Sequence, residues 1–490
     1  MTAIAPPSSR PPERFARTIR RAVIWRSGSQ IVAQLVQWTA TFLVIRILTP
    51  ADYGLFAMTQ VVLVFLNILN GYGLASGVVQ RPNVSRREIA QLFGMLILVN
   101  VTLAVVQIAA APLVAAYYRQ PSVADLLRVQ ALLYLATPFV ALPQALLARG
   151  MEFSRQAKVN IAASLAGAAT ALGGASAGLG VWTLVWAPMA LFAVRGTLLT
   201  IAAGGLPRPV FDFRSTRGLV RYGGLMATGQ FVTFLWSQSD IFIAGRYFSA
   251  HELGLYTTSL FLVWIFVSKV APPLHDVAFA AYSRLQHDPD ARARAFLQFA
   301  RVFAVAAMPF HLGLAATAEP LVLTVLGEQW AGAAPVVRVL ACSLPFYAIY
   351  VLLGPAADAV GRPDIGPGNA LVAALLAPPL LLVGVRWGAV GLAASWAAVF
   401  PVLLAIGLRR VLPVIGVELG ALVRVFAPPL AAALAMAVAV TIADATFARA
   451  FPPASRLAAL VALGGAAYGG WMLLFARPAL VELWALARAR

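Results

Sequence analysis

Charged residues are scarce in this sequence. They make up 11% of the 490 residues, whereas a soluble domain carries about 25%. Hydrophobic residues account for 61% of the chain, and the mean hydropathy is +0.83. A chain this apolar is not a soluble globular protein, and its composition indicates an integral membrane protein.

Lysine, histidine and cysteine are also rare. Neither lysine, Lys158 or Lys269, follows glycine in a phosphate-binding loop, which argues against ATP hydrolysis. The four histidines are scattered, and the sequence HELGLY at His251 lacks the second histidine of a zinc-binding helix, so neither a metal site nor another cofactor is expected. The lone Cys342 forms no internal disulfide, and we expect it to be a small buried hydrophobic residue.

Long apolar stretches run from one end of the chain to the other. A membrane-spanning helix needs roughly 20 apolar residues. The sequence predicts an all-α polytopic membrane protein with about fourteen transmembrane helices, at 23–45, 54–78, 89–117, 124–148, 159–178, 182–204, 223–245, 253–278, 297–318, 334–358, 367–384, 389–408, 422–443 and 457–477.

The basic residues predict the orientation. Residues 1–22 are basic and rich in proline and have no apolar core, so they are expected to be a retained cytoplasmic arm and not a signal peptide. This arm and the connections on its side hold 23 Lys and Arg, against 6 on the opposite side. Both termini are therefore expected in the cytoplasm. The net charge of +19 is mostly topological, and it points to contact with anionic membrane lipids and not to nucleic acid.

The first predicted helix carries a polar stripe. Its members are separated by four, four, three and four residues, which places all of them on one face of a helix: Arg26, Gln30, Gln34, Gln37 and Thr41. A polar face on a membrane helix predicts an aqueous cavity. The alternative is that the glutamines hydrogen-bond between tightly packed helices.

The sequence also repeats itself at a distance of 200 residues. RILTPADYGLF (Arg46 to Phe56) aligns without a gap with RYFSAHELGLY (Arg246 to Tyr256), and eight of the 35 positions from 21 to 55 are identical in the two copies. Six helices separate the copies, so both enter the membrane in the same direction. This predicts two pseudo-symmetric six-helix lobes around a central lumen, related by an axis along the membrane normal.

The repeat divides the chain into five parts. They are the arm (1–22), an N-lobe of helices 1 to 6 (23–204), a cytoplasmic linker (205–222), a C-lobe of helices 7 to 12 (223–408), and helices 13 and 14 with a cytoplasmic tail (409–490). The last two helices have no counterpart in the repeat, so they are expected outside the lumen.

Polar and charged residues within the spans are the candidate functional residues. Helix 7 repeats the stripe as Gln230, Thr233, Ser237 and Asp240, and two cations, Arg195 and Lys269, lie too deep to reach the interface easily. The predicted substrate lumen consists of Arg26, Gln30, Gln34, Gln37, Arg195, Gln230, Ser237, Lys269 and Arg301. Asp240 is the predicted ion-coupling carboxylate, and a purely structural partner of a neighbouring helix is the alternative for it.

Several short strings resemble a known family. They are RILTPADYGLFA in the first connection, RGMEF (149–153), GLGVWTLV (178–185), YSRLQHDP (282–289) and LGEQWAGAAPVVRVLA (326–341). Together they resemble the polysaccharide-transporter branch, the Wzx-like flippases, of the multidrug/oligosaccharidyl-lipid/polysaccharide flippase superfamily. The resemblance covers about residues 20 to 420.

The resemblance implies a flippase driven by a proton or sodium gradient. Such a protein moves undecaprenyl-diphosphate-linked oligosaccharide across the bacterial inner membrane for exopolysaccharide, capsule or O-antigen synthesis, alongside a polysaccharide polymerase and a chain-length regulator. Two alternatives remain. One is a drug or small-cation antiporter of the related multidrug branch. The other is a polymerase or ligase acting on the same lipid-linked sugars, but those enzymes resemble one another in having a large outer loop, whereas the longest outer connection here is about 15 residues.

Overall fold

The chain is helical throughout the residues that the structure, a computed structural model, describes. These are residues 28, 32–70, 84–212, 228–285, 287–446 and 448–477, and they contain no strand. The helices are α1 (Val32–Ile47), α2 (Pro50–Asn67), α3 (Arg86–Tyr118), α4 (Ser122–Gln130), α5 (Leu132–Arg149), α6 (Phe153–Ser176), α7 (Trp182–Ala202), α8 (228–237), α9 (Ser239–Tyr247), α10 (Ala250–Arg284), α11 (Pro289–Ala316), α12 (Ala318–Val325), α13 (Ala334–Val351), α14 (Leu353–Ala359), α15 (Ile365–Gly384), α16 (Gly388–Ile415), α17 (Leu419–Thr446) and α18 (Pro453–Phe475).

These helices confirm the prediction of an all-α polytopic membrane protein. Ten described segments are long and apolar enough to cross a membrane. One of them, 365–415, holds two packed helices, α15 and α16, joined at Gly388, whose φ of +69° reverses the chain direction. The predicted first, second and seventh spans are described only in part, as α1, α2 and α8 with α9. The predicted number of about fourteen is consistent with this set.

Three predicted spans consist of two helices in succession. Span 4 is α4 and α5, which meet at Ala131, and span 10 is α13 and α14, which meet at Leu352. Span 7 is interrupted at Gln238, where φ is −118° and ψ is 0°. Interrupted membrane helices are tolerated where neighbouring groups satisfy the freed backbone.

The described residues group into two compact units that divide between Phe231 and Val232. In the N-terminal unit, α7 packs against α5 and α6, and α3 packs against α4 and α5. In the C-terminal unit, α16 packs against α13 and α15, while α17 packs against α11 and α18. The main buried core of that unit draws residues from α10 through α18, so the last two helices belong to its packed body.

The repeated motif builds the same helix start in both units. The side-chain oxygens of Thr49 and Ser249 accept hydrogen bonds from the backbone N–H of Asp52 (3.3 Å) and of Glu252 (3.2 Å), which caps α2 and α10. The helices begin at Pro50 and at Ala250, so the offset of 200 residues is kept in the structure.

The acidic residue of each motif also meets a glycine of a distant connection. In the N-terminal unit, a Cβ added at Gly180 (φ +54°) would lie 3.0 Å from Asp52 Oδ1. In the C-terminal unit, Glu252 Oε1 accepts a hydrogen bond from the backbone N–H of Ala389 (3.1 Å), and a Cβ added at Gly388 would lie 2.9 Å from the same oxygen. We call these two contacts the acidic clamps. In each, the acidic side chain at the start of the motif helix lies against the turn before the last helix of the repeat, and in the C-terminal unit a hydrogen bond holds it there.

A buried ion cluster ties α18 to its neighbours. The Arg456 guanidinium donates Nε to Asp444 Oδ1 (2.6 Å) and Nη2 to Asp444 Oδ2 (2.8 Å), and Nη2 also reaches Glu319 Oε2 (2.9 Å). The side chains of Arg456 and Asp444 are 8% and 10% exposed. This cluster holds α18 to the end of α17 and to α12.

Candidate functional site

The predicted polar stripes lie only partly within the described residues. Arg26 and Gln30 fall outside them. On α1, Gln34 is half-buried and Gln37 is exposed. On α8, Gln230 is exposed and Ser237 is half-buried. Assignment of these residues to a lumen stays a prediction.

Arg195 lies in a polar cluster inside the N-terminal unit. It is half-buried on α7, and its Nη2 donates a hydrogen bond to Gln144 Oε1 on α5 (3.3 Å). The backbone carbonyl of Gln144 accepts a hydrogen bond from Gln156 Nε2 on α6 (2.9 Å). The Arg195 Nε is buried and has no hydrogen-bond partner among the described residues. The cluster therefore offers a guanidinium on α7 that retains an unused donor and is held by the Gln144 amide of α5, whose backbone is in turn bonded by Gln156 of α6.

Proline explains how α5 and α7 come to share polar contacts. Pro143 has no backbone N–H, so the carbonyl of Phe139, four residues earlier, loses its intrahelical donor. The Thr200 hydroxyl of α7 donates to that carbonyl at 3.4 Å. Pro143, one residue before Gln144, thus opens a polar attachment point for α7 at the carbonyl of Phe139.

A cleft lies between the end of α5 and the end of α7, next to the RGMEF string. Its volume is about 250 Å³. Arg155 pairs with Glu152 (2.8 Å), and its Nη1 donates to the carbonyl of Ala202 (3.0 Å). Met151 turns the chain here with a φ of +56°. Because Arg155 is engaged by both groups, this string mainly joins α6 to the end of α7.

Lys269 and Arg301 lie on successive helices of the C-terminal unit. Lys269 is exposed on α10, and Arg301 is half-buried on α11. Pro272 and Pro273 follow Lys269 within α10, so the carbonyls of Ser268 and Lys269 lose their intrahelical donors. The ammonium group therefore stands at a stretch of helix whose backbone is itself polar, which suits water or a polar substrate better than lipid.

Asp240 is held inside the C-terminal unit by defined partners. It is 3% exposed and lies on α9 directly after the interruption at Gln238. The Tyr256 hydroxyl of α10 donates to Asp240 Oδ2 (2.8 Å), and the backbone N–H of Ile241 donates to Oδ1 (2.7 Å). The Trp396 indole of α16 donates Nε1–H to the Tyr256 oxygen (2.9 Å). We call Asp240, Tyr256 and Trp396 the aspartate triad.

An aromatic cluster surrounds the triad. The Trp396 ring stacks on Phe400, with ring centroids 4.9 Å apart, and meets Trp236 edge-on at 6.3 Å. Tyr347 lies 5.1 Å from Phe400 and 6.2 Å from Trp236. Aromatic rings thus pack around the Trp396 end of the triad, and the described donors to the carboxylate are Tyr256 and the Ile241 N–H.

Reading the sequence alone missed Gln144, Gln156, Tyr256 and Trp396. Gln144 carried the same signal as the predicted residues, a polar side chain deep in an apolar span. Tyr256 ends the repeated motif, where the first copy has Phe56. Trp396 carried no such signal, because an aromatic residue in an apolar helix is ordinary.

The expected burial of Cys342 is wrong. It is exposed on α13 between buried neighbours. In a membrane protein an outward face contacts lipid, so a small apolar thiol is as suitable there as in the core. Among the described residues, no group of three or more His, Cys, Asp or Glu is placed to hold a metal ion.

The fold and these sites define an all-helical, multi-pass membrane protein with polar groups built into its spans. Residues 43–335 match the polysaccharide biosynthesis protein family, so the chain belongs to that family. The succinoglycan biosynthesis transport protein ExoT of Rhizobium meliloti (strain 1021) is 26% identical over 479 residues, which span 97% of both chains.

Solved structures agree on the fold. A lipid II flippase, MurJ, in an inward closed conformation superposes with a TM-score of 0.75 at 12% identity, covering 93% of this chain and 100% of that one. An inward-facing multidrug resistance MATE family transporter of the MOP superfamily gives a TM-score of 0.61 at 14% identity, covering 81% and 98%. At these identities the likeness shows a shared fold and nothing of the substrate.

Proposed function

We propose that this chain is a flippase that moves an undecaprenyl-diphosphate-linked oligosaccharide across the bacterial inner membrane by alternating access, with both termini in the cytoplasm. The proposal rests on membership of the polysaccharide biosynthesis protein family. Because the described chain consists almost wholly of membrane-spanning helices, transport across the membrane is the step that such a chain suits. The name of its relative ExoT, a succinoglycan biosynthesis transport protein, supports transport over catalysis.

The polar residues within the spans suit such a substrate. A diphosphate is anionic and a glycan is rich in hydroxyl groups, so guanidinium, ammonium and amide groups can bind both. Arg195 with Gln144, together with Lys269 and Arg301, supplies these groups in the described residues. The isoprenoid tail would stay in lipid.

Energy would come from a proton or sodium gradient acting at Asp240. A buried carboxylate can bind either cation, and binding removes a charge that is costly inside a membrane. Asp240 lies beside a helix interruption, where a small shift of α9 needs few broken backbone hydrogen bonds. Partners in the cell would be a polysaccharide polymerase and a chain-length regulator.

The test is polysaccharide export in a host strain from which this gene has been deleted. The wild-type chain should restore export, and Arg195→Gln and Lys269→Gln should each lower it about tenfold or more at equal protein level, since each loses a charge-assisted contact with the substrate. Arg128→Gln is the matched control, because Arg128 is an exposed span arginine whose partner is Asp125 (2.8 Å). Normal export from both test variants would remove the cationic binding mechanism.

A further inference from the structure

The aspartate triad occurs in only one of the two repeated units. At an offset of 200 residues, Asp240 corresponds to Ala40 and Tyr256 corresponds to Phe56. Counted from the clamp glycines Gly388 and Gly180, Trp396 lies eight residues on, where the N-terminal unit has Pro188. All three positions are therefore apolar in the other copy.

This difference argues against a role in building the fold. The N-terminal unit forms the same capped helix start and its own acidic clamp with Ala40 and Phe56 in place. A carboxylate buried to 3% exposure in a membrane helix is costly, and the fold evidently does not require it. A costly group that the duplicate does without needs a functional reason.

The hydrogen bonds of the triad show which changes at Asp240 would alter them. Both Asp240 oxygens accept from donors, Tyr256 and the Ile241 N–H, so the arrangement fits an ionised carboxylate. A hydroxyl oxygen has one hydrogen and two lone pairs, and Trp396 already occupies one lone pair of Tyr256. If Asp240 gains a proton on Oδ2, its O–H can donate to the remaining lone pair, and the Tyr256 hydrogen must then turn to another acceptor. If the proton is on Oδ1, Oδ2 still accepts from Tyr256, but the hydrogen bond loses its charge assistance. If Asp240 binds sodium, the cation competes with the Tyr256 hydrogen for Oδ2.

We propose that Tyr256 is the positioning residue for ion coupling at Asp240, and that Trp396 fixes Tyr256 so that a charge change on α9 is passed to α10 and α16. This proposal rests on the proposed function of Asp240. The elements packed against α9 are α10, α15, α16 and the turn 385–387, and among their described residues only Tyr256 and Trp396 face the carboxylate with polar atoms. Either form of ion binding weakens or replaces the charge-assisted hydrogen bond from Tyr256 to Asp240.

The experiment measures gradient-driven transport by the full chain in liposomes. The probe is lipid-linked oligosaccharide extracted from a strain that lacks this gene, and its arrival on the outer leaflet is read by oxidation with impermeant periodate. The ratio of the rate with an imposed proton or sodium gradient to the rate without one is the coupling ratio. A role confined to packing would lower protein yield or melting temperature and leave this ratio unchanged.

Four variants give the expected pattern. Asp240→Asn should reduce the coupling ratio to one. Tyr256→Phe should lower the gradient-driven rate about tenfold, the size expected for loss of a hydrogen bond to a charged group. In the Asp240→Asn background, Tyr256→Phe should have no further effect, because Tyr256 acts through that carboxylate. Tyr282→Phe is the matched control, since Tyr282 is another tyrosine buried in the same unit (2% exposed).

Two outcomes would overturn the inference, and they differ from failure of the proposed function. If Asp240→Asn uncouples transport but Tyr256→Phe behaves like wild type, the positioning role is wrong and Asp240 stands. If the two substitutions add, Tyr256 acts independently and the role is also wrong. If Asp240→Asn keeps the wild-type coupling ratio, the coupling site lies elsewhere. The role of Tyr256 and the proposed role of Asp240 are then both wrong. The double variant Asp240→Ala with Tyr256→Phe copies the other unit, so it should keep a near-normal melting temperature while losing coupling.

Discussion

Among the described residues of the C-terminal unit, the Arg456 ion cluster should be the electrostatic contact whose loss lowers the free energy of unfolding most. Arg456→Gln removes the guanidinium and leaves the Asp444 carboxylate, 10% exposed, without its bidentate partner. Breaking a buried ion pair from one side costs about 3 to 5 kcal/mol. The additional contact with Glu319, which is 45% exposed, adds well under about 1 kcal/mol because solvent screens it.

The loss should be visible in thermal unfolding of the purified chain. For a unit of more than 200 residues, about 2 °C of melting temperature corresponds to 1 kcal/mol, so a drop of roughly 6 to 10 °C is expected. Unfolding of membrane proteins is often irreversible, and the variants must therefore be compared at one heating rate. The double variant Arg456→Gln with Asp444→Asn should recover much of the loss, because no unpaired charge remains buried.

Arg362 provides a matched control of the same geometry. It also forms a bidentate pair with an aspartate, donating Nε to Asp364 Oδ1 (2.8 Å) and Nη2 to Oδ2 (2.9 Å), but both side chains are more than half exposed. The hydrogen bonds from Arg362 hold the pKa of the Asp364 carboxyl below its usual range. Arg362→Gln should leave the melting temperature unchanged within error. Equal drops for Arg362→Gln and Arg456→Gln would refute the reasoning, since the two pairs differ mainly in burial.

Two further predictions use the same unfolding assay. Gly388→Ala should lower the melting temperature by several degrees, because alanine is strained at a φ of +69° by about 1 to 3 kcal/mol and its Cβ would meet the Glu252 carboxylate, whereas Gly354→Ala on α14 has open space and should be neutral or slightly stabilising. Equal behaviour of the two alanine variants would argue against the acidic clamp. Cys342→Ser should leave both stability and export unchanged because the side chain is exposed, and a loss of several degrees would indicate that it is buried after all.

The sequence was sufficient for features that depend on local pattern. Apolar runs of spanning length located the helices. The 200-residue repeat aligned Thr49 with Ser249, and both cap a helix in the structure, because capping depends on residues three positions apart. The partners of Asp240 could not be predicted from the sequence. Tyr256 lies 16 residues away, and Trp396 contacts Tyr256 across 140 residues, so only packing brings them together. The error at Cys342 has a physical cause as well, since hydropathy cannot separate a core face from a lipid face.

The two units share the repeated motif but differ in the polar groups of their spans. Both keep the cap and the acidic clamp, which fix helix ends and turns and involve no group deep in the membrane. Arg195 and the aspartate triad, by contrast, are not duplicated. Counted from the clamp glycines, Arg195 of the N-terminal unit corresponds to Leu403, which is 2% exposed, just as Asp240 corresponds to Ala40.

This asymmetry has a consequence for mutagenesis. If substrate binding depends on the Arg195 cluster and ion coupling on the aspartate triad, variants of the two should fail in different ways. Arg195→Gln should weaken transport equally with and without a gradient, so the coupling ratio stays as in wild type. Asp240→Asn should reduce the coupling ratio to one and leave the rate without a gradient close to wild type. A common defect in both variants would mean that the Arg195 cluster and the aspartate triad do not serve separate steps.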